Sequence, residues 1–123
     1  MTQSLEDYLE TIGNLAVIDN NPRVKDIAQV LGLSKPSVHI ALHTLEKEGM
    51  IEHEHYGAIT LTEKGRCEYE KIKHKHDTLR IFFEHVLGVS SENADKDACA
   101  MEHIISPEAF DKIEELVVKH KKN

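Results

Sequence analysis

The stretch from Val24 to Leu45, VKDIAQVLGLSKPSVHIALHTL, decides the fold. Val24, Ile27, Ala28 and Leu31 recur three and four residues apart, so they line one face of a helix, and Gly32 suits the position just past its end. Ser34 can cap a second helix, with Pro36 in the first turn where a missing N–H costs little. On that helix Val38, Ala41, Leu42 and Leu45 face inward, and it runs to about Gly49. Helix, glycine turn and helix make the helix-turn-helix arrangement, whose second helix can enter a major groove.

Beyond this stretch the period changes from helical to alternating. Ile51, His53 and His55 alternate with Glu52 and Glu54, Tyr56-Gly57 makes a turn, and Ile59 and Leu61 alternate with Thr60 and Thr62, the pattern of a short hairpin. A hairpin directly behind a helix-turn-helix is a winged helix. Before the stretch, Leu5, Tyr8, Leu9, Ile12, Leu15 and Ala16 predict an amphipathic helix over 5–18 capped by Ser4, followed by turn chemistry at Asp19-Asn20-Asn21-Pro22. After the hairpin a long helix runs from about Glu63 to Leu87 and ends at Gly88. A further helix runs from Ser90 or Ser91 through Ile105, and Ser106-Pro107-Glu108 starts a last one carrying Phe110, Ile113, Leu116 and Val117. The fold class is therefore mainly α: an N-terminal winged helix-turn-helix with a two-stranded wing, over 1–73, then a helical region over 74–123. The later helices carry Phe82, Phe83, Val86, Ile104, Phe110 and Ile113, more apolar surface than so short a segment buries alone, which predicts a homodimer.

A chain of 123 residues cannot house a large catalytic barrel, and its 40% hydrophobic and 30% charged composition is globular. Its longest apolar stretches fall far short of the ~18 residues of a membrane span, and no basic start leads into an apolar run, so a cytoplasmic protein without a membrane partner is expected. The two cysteines, Cys67 and Cys99, are too few for a disulfide framework and read as thiols. A net charge of −7 is the wrong sign for nucleic-acid binding by bulk charge, so DNA binding has to rest on local geometry.

Metal-ligating residue types cluster in the pattern. Cys99, Glu102 and His103 stand at i, i+3 and i+4 on one predicted helix, so a thiol, a carboxylate and an imidazole project from one face. Asp7 and Glu10 share a face of the first helix, and His76 lies on the long helix with His74 and Asp77 nearby. Such donors suit Fe²⁺, Mn²⁺, Co²⁺, Ni²⁺ or Zn²⁺ rather than Ca²⁺ or Mg²⁺. Each group also has a plain reading. Acids near a helix start sit well on a solvated face, a cysteine between alanines is usually a small core residue, and Glu-His pairs are common on surfaces. Cys67 and His43 read as structural, and His53, His55 and His120 as solvated.

Taken together, Glu6-Asp7-Tyr8-Leu9-Glu10-Thr11-Ile12, Val24-Lys25-Asp26-Ile27-Ala28, Ser34-Lys35-Pro36-Ser37-Val38, Leu61-Thr62-Glu63-Lys64-Gly65 and Asp97-Ala98-Cys99-Ala100-Met101-Glu102-His103-Ile104-Ile105-Ser106 resemble the diphtheria-toxin repressor family of metal-dependent transcriptional regulators, including its short manganese transport regulator branch. The resemblance covers nearly the whole chain. It implies a winged-helix DNA-binding part, a helical dimerisation part, and metal ligands at the positions of Asp7, Glu10, His76, Cys99, Glu102 and His103. The iron branch usually has Met where this chain has Asp7, and the manganese branch usually has Glu where it has Cys99, so the ligand set is a hybrid. Two ancillary ligand positions of the iron branch fall on Arg80 and Asp95, and Arg80 cannot ligate. The extra small-barrel domain of longer members is not expected.

The resemblance implies a homodimeric repressor that binds a palindromic double-stranded operator when loaded with Fe²⁺ or Mn²⁺ and controls metal-uptake genes. The thiolate tips the choice slightly toward Fe²⁺, and Zn²⁺, Co²⁺ or Ni²⁺ can bind such ligands in vitro. Ser37 and His39 are expected to touch bases and Pro36 thymine methyls, with Ser34 at the same helix start; Arg23, Lys25, Lys35 and Lys47 supply local positive charge. Glu52 and Glu54 make the wing a poor phosphate contact, with only Lys64 and Arg66 close behind. Two other classes compete: a winged-helix regulator answering a non-metal signal, and a small metalloenzyme or thiol enzyme built on Cys99 and His103, for which no orienting group or oxyanion-hole loop is legible.

Overall fold

The structure, a computed structural model, describes residues 1–18, 22–54 and 57–122. The expected turn at Asp19, Asn20 and Asn21, the strand position of His55 and the Tyr56 half of the hairpin turn lie outside the described residues. Among those described, six α-helices and one two-stranded sheet form two compact units, Met1–Glu70 and Lys71 onward.

In the first unit α1 (Gln3–Ile18) packs on α2 (Val24–Leu31), α3 (Lys35–Lys47) and β2 (Ile59–Leu61). It starts earlier than Ser4 would allow, because Thr2 Oγ1 accepts the Leu5 N–H at 3.2 Å and serves as the cap instead. α2 opens with the Arg23 N–H donating to the Asp26 carboxylate at 2.9 Å and closes at Gly32, whose φ of 65° needs glycine. α3 is capped as expected: Ser34 Oγ accepts the Ser37 N–H at 3.3 Å, with Pro36 in the first turn. It ends at Lys47, two residues short of Gly49. Val38, Ala41, Leu42 and Leu45 all point into a core shared with Leu9, Ile12, Ile27, Ile51 and Ile59. The wing pairs β1 (Ile51–His53) antiparallel with β2, Ile51 opposite Leu61 and His53 opposite Ile59.

The Leu61-Thr62-Glu63-Lys64-Gly65 motif ties the end of α3 to the start of α4 (Glu63–Ile81). Thr62 Oγ1 donates to the Gly49 carbonyl at 2.6 Å and accepts the Gly65 N–H at 3.0 Å, while Lys64 Nζ donates to the Glu48 carbonyl at 2.9 Å. Carbonyls left over at the end of α3 and a free N–H at the start of α4 are satisfied together. A Cβ on Gly65 would stand 1.9 Å from the Met50 carbonyl oxygen, so only glycine fits.

In the second unit α4 passes into a π-helical turn, Phe82–Val86, and the chain reverses at Gly88, φ 77°. α5 (Ser91–Met101) is capped by Ser90 and α6 (Pro107–Lys122) by Ser106, whose Oγ accepts the Ala109 N–H at 3.1 Å. Leu79, Ala98 and Phe110 form the core, with Phe83, Met101, Ile105 and Ile113 packed against it. Phe110 is thus a core residue and Ile113 is partly covered, contrary to the expected surface set. Ile104 does remain exposed, together with Leu87, Leu116 and Val118. No helix among the described residues is long and apolar enough to cross a membrane.

Candidate metal centre and nucleic-acid interface

The sequence places Cys99, Glu102 and His103 on one helix, but α5 stops at Met101. Glu102 is its C-cap residue, its N–H still bonded to the Ala98 carbonyl at 3.0 Å, and His103 lies in the turn beyond. The reason is local: the N–H groups of Ile104 and Ile105 both turn back to the Met101 carbonyl, which tightens the last turn. Cys99 stays on the helix and is exposed, whereas the Glu102 side chain is buried.

Glu102 divides its two oxygens between two imidazoles. Oε2 lies 3.1 Å from His76 Nδ1 on α4, and Oε1 lies 3.3 Å from His103 Nε2. The second ring nitrogen of His76 faces Asp95 Oδ1 at 2.9 Å. A neutral imidazole has one N–H, so His76 can donate to one carboxylate only, unless it is doubly protonated or turns a lone pair toward a cation. Glu102 Oε1 is buried without a hydrogen bond among the described residues. A buried carboxylate oxygen with no donor, beside two imidazoles, is costly as it stands and suits a divalent cation. The donor set therefore fits the metal that the residue types suggested.

Asp95, where the resemblance implies an iron-branch ancillary ligand, holds one nitrogen of the His76 ring while Glu102 holds the other. Arg80, at the other ancillary position, pairs with Glu84 at 3.1 Å on its own helix. His74, noted near His76, pairs instead with Glu114 of α6 and stands edge-on to Phe110. In the first unit Asp7 and Glu10 are half-buried one turn apart on α1, their carboxylate oxygens within 4.8 Å of each other.

The outer face of α3 carries the expected DNA-facing set. Ser34, Lys35, Pro36, Ser37, His39 and Lys47 are all exposed, as are Arg23 and Lys25. Two residues are already engaged: Ser37 Oγ accepts from the Ser34 hydroxyl at 2.9 Å, and the His39 ring stacks on His53 of the wing, centroids 6.2 Å apart. His53 is therefore half-buried rather than simply solvated. Lys64 is spent on the α3 carboxyl end, which leaves the wing with exposed Glu52 and Glu54, as read. His43, His120 and Cys67 are exposed. Sequence reasoning missed the Asp95–His76 contact, which joins two separate helices, and the exposure of Ile40, which the inward stripe of α3 leaves on the outer face.

A winged helix joined to a helical unit with a buried carboxylate between imidazoles defines a metal-responsive DNA-binding regulator. The chain belongs to the iron-dependent repressor family, the diphtheria-toxin repressor family: residues 1–59 match its N-terminal DNA binding domain and residues 62–123 its metal binding and dimerisation domain. It is similar to an uncharacterized HTH-type transcriptional regulator of Methanocaldococcus jannaschii, at 37% identity with 98% of each chain covered. It is also similar to the HTH-type transcriptional regulator MntR of Geobacillus kaustophilus, at 36% identity over 94% of this chain and 82% of that one. Among solved structures it is similar to IdeR of T. acidophilum, TM-score 0.80, 28% identity, covering 89% of this chain and 52% of that one. The chain thus spans about half the length of that solved protein. The family is one of transcriptional regulators, not enzymes, which removes the metalloenzyme and thiol-enzyme readings.

Proposed function

We propose that the chain is a cytoplasmic homodimeric repressor that binds a palindromic operator when loaded with Fe²⁺ or Mn²⁺ and controls metal-uptake genes. Residues 1–73 are its DNA-binding part, and residues 74–123 its metal-binding and dimerisation part. The observation that carries this reading is Glu102, a buried carboxylate whose oxygens face His76 and His103. Bound there, a divalent cation supplies the positive charge that these groups lack. Glu102, His76 and His103 hold it, Asp7, Glu10 and Cys99 complete the ligand set that the resemblance implies, and Asp95 orients His76. Metal occupancy couples to DNA affinity through whichever state of the protein binds the cation more tightly, the state that also binds the operator.

Carboxylates and imidazoles suit Mn²⁺ and Fe²⁺ alike, and the Cys99 thiol is the donor that separates them. On DNA, Lys25, Lys35 and Lys47 contact phosphates while Ser34, Pro36, Ser37 and His39 lie against the groove. The test is an anaerobic titration of the apo dimer onto fluorescent promoter DNA at fixed salt, with Fe²⁺, Mn²⁺ or Zn²⁺ at buffered free concentrations. Metal-dependent tightening is expected, and the ion effective at the lowest physiological free concentration names the effector. DNA binding indifferent to every ion would select a winged-helix regulator with a non-metal signal.

A further inference from the structure

Of the five aliphatic residues on α3, Val38, Ala41, Leu42 and Leu45 are at most 8% exposed, while Ile40 is 71% exposed. A lone exposed aliphatic side chain usually means nothing. Ile40 differs in its company. Pro36, Ile40, His43 and Lys47 stand at i, i+4, i+7 and i+11, so they form one exposed stripe down the middle of the outer face of the helix. The polar neighbours that could read bases beside it already have partners, Ser37 on the Ser34 hydroxyl and His39 on the ring of His53.

We propose that Ile40 is a specificity-determining residue that recognises the 5-methyl group of a thymine in the operator, extending the apolar contact surface begun by Pro36. The inference rests on the DNA-binding reading of α3. In the major groove only the A·T pair presents a methyl group, so an aliphatic side chain placed there discriminates by apolar contact, without a hydrogen bond. Substituting an exposed side chain that makes no core contact leaves the fold intact, so the residue can be tested without ambiguity.

The experiment starts from a randomised duplex library enriched with the Mn²⁺-loaded full-length dimer. Each thymine of the selected operator is then replaced by uracil, which removes the methyl group alone. For the wild type, at least one thymine per half-site is expected to show about a fourfold loss of affinity, the worth of burying one methyl group. Ile40→Ala should bind the thymine operator about fourfold more weakly per half-site and be indifferent to uracil at that position, whereas Ile40→Val should keep part of the discrimination. An unchanged uracil penalty in Ile40→Ala, or no penalty anywhere in the wild type, overturns the assignment. Failure of the library to enrich refutes the DNA-binding reading itself and takes this inference with it.

Discussion

On α3 the residues assigned to DNA lie exposed above four buried aliphatic side chains, whereas at the end of α5 Glu102 is 2% exposed and shares its oxygens between two imidazoles. The first region keeps its core contacts and the residues proposed for recognition on separate faces of one helix, so the outer residues can change at almost no cost to stability. In the second, the group proposed to hold the metal is itself buried. A buried carboxylate without a full set of donors costs several kcal/mol of desolvation, which only a cation or a proton offsets. On the proposed function, changes in the first region act on affinity alone, and changes in the second act on affinity and on the stability of the metal-free protein together.

Glu102→Gln attacks this contrast most directly. Loss of a partner to a ligand already costs ten- to a hundredfold in metal affinity, so loss of Glu102, proposed as a direct ligand, should cost on the order of a hundredfold or more. The metal-free variant should melt no lower than the wild type, because the change removes a buried charge. Chelator competition together with apo thermal melts checks both, and unchanged metal affinity would remove Glu102 from the site. Gly65→Ala instead strikes the junction beneath α3. Its Cβ meets the Met50 carbonyl, so unfolding stability should fall by about 2 kcal/mol in urea titration. An unmoved midpoint would show that the α3–α4 junction has slack. The smallest effect is expected from Lys35→Ala. Operator affinity should weaken to a similar degree on every DNA sequence, the slope of log K against log salt should drop by about 2 for the two subunits together, and the melting temperature should stay put. A sequence-dependent loss would make Lys35 a base reader rather than a phosphate contact.

Much of the local chemistry was legible, though at α1 Thr2 rather than Ser4 is the cap. Ser34 and Ser106 cap helices, Gly32 ends one with a positive φ, and the inward stripe of α3 is the one its spacing predicts. Caps and periodicity depend on neighbours within four residues, which the sequence displays. The ligand-type residues were legible too, but their arrangement was not. Cys-x-x-Glu-His spacing assumes a continuing helix, and the early stop at Met101 leaves Cys99 exposed while Glu102 and His103 turn inward.

Sequence alone determined the winged-helix order, the helix boundaries at Gly32, Ser34 and Ser106, and the kinds of atom offered to a metal. Tertiary structure decided which of them meet: Glu102 with His76 and His103, Asp95 with His76, His39 with His53, and Gly65 with the Met50 carbonyl. Contacts between elements far apart in the chain follow from how buried faces pack, and no spacing within one element encodes the partner on another.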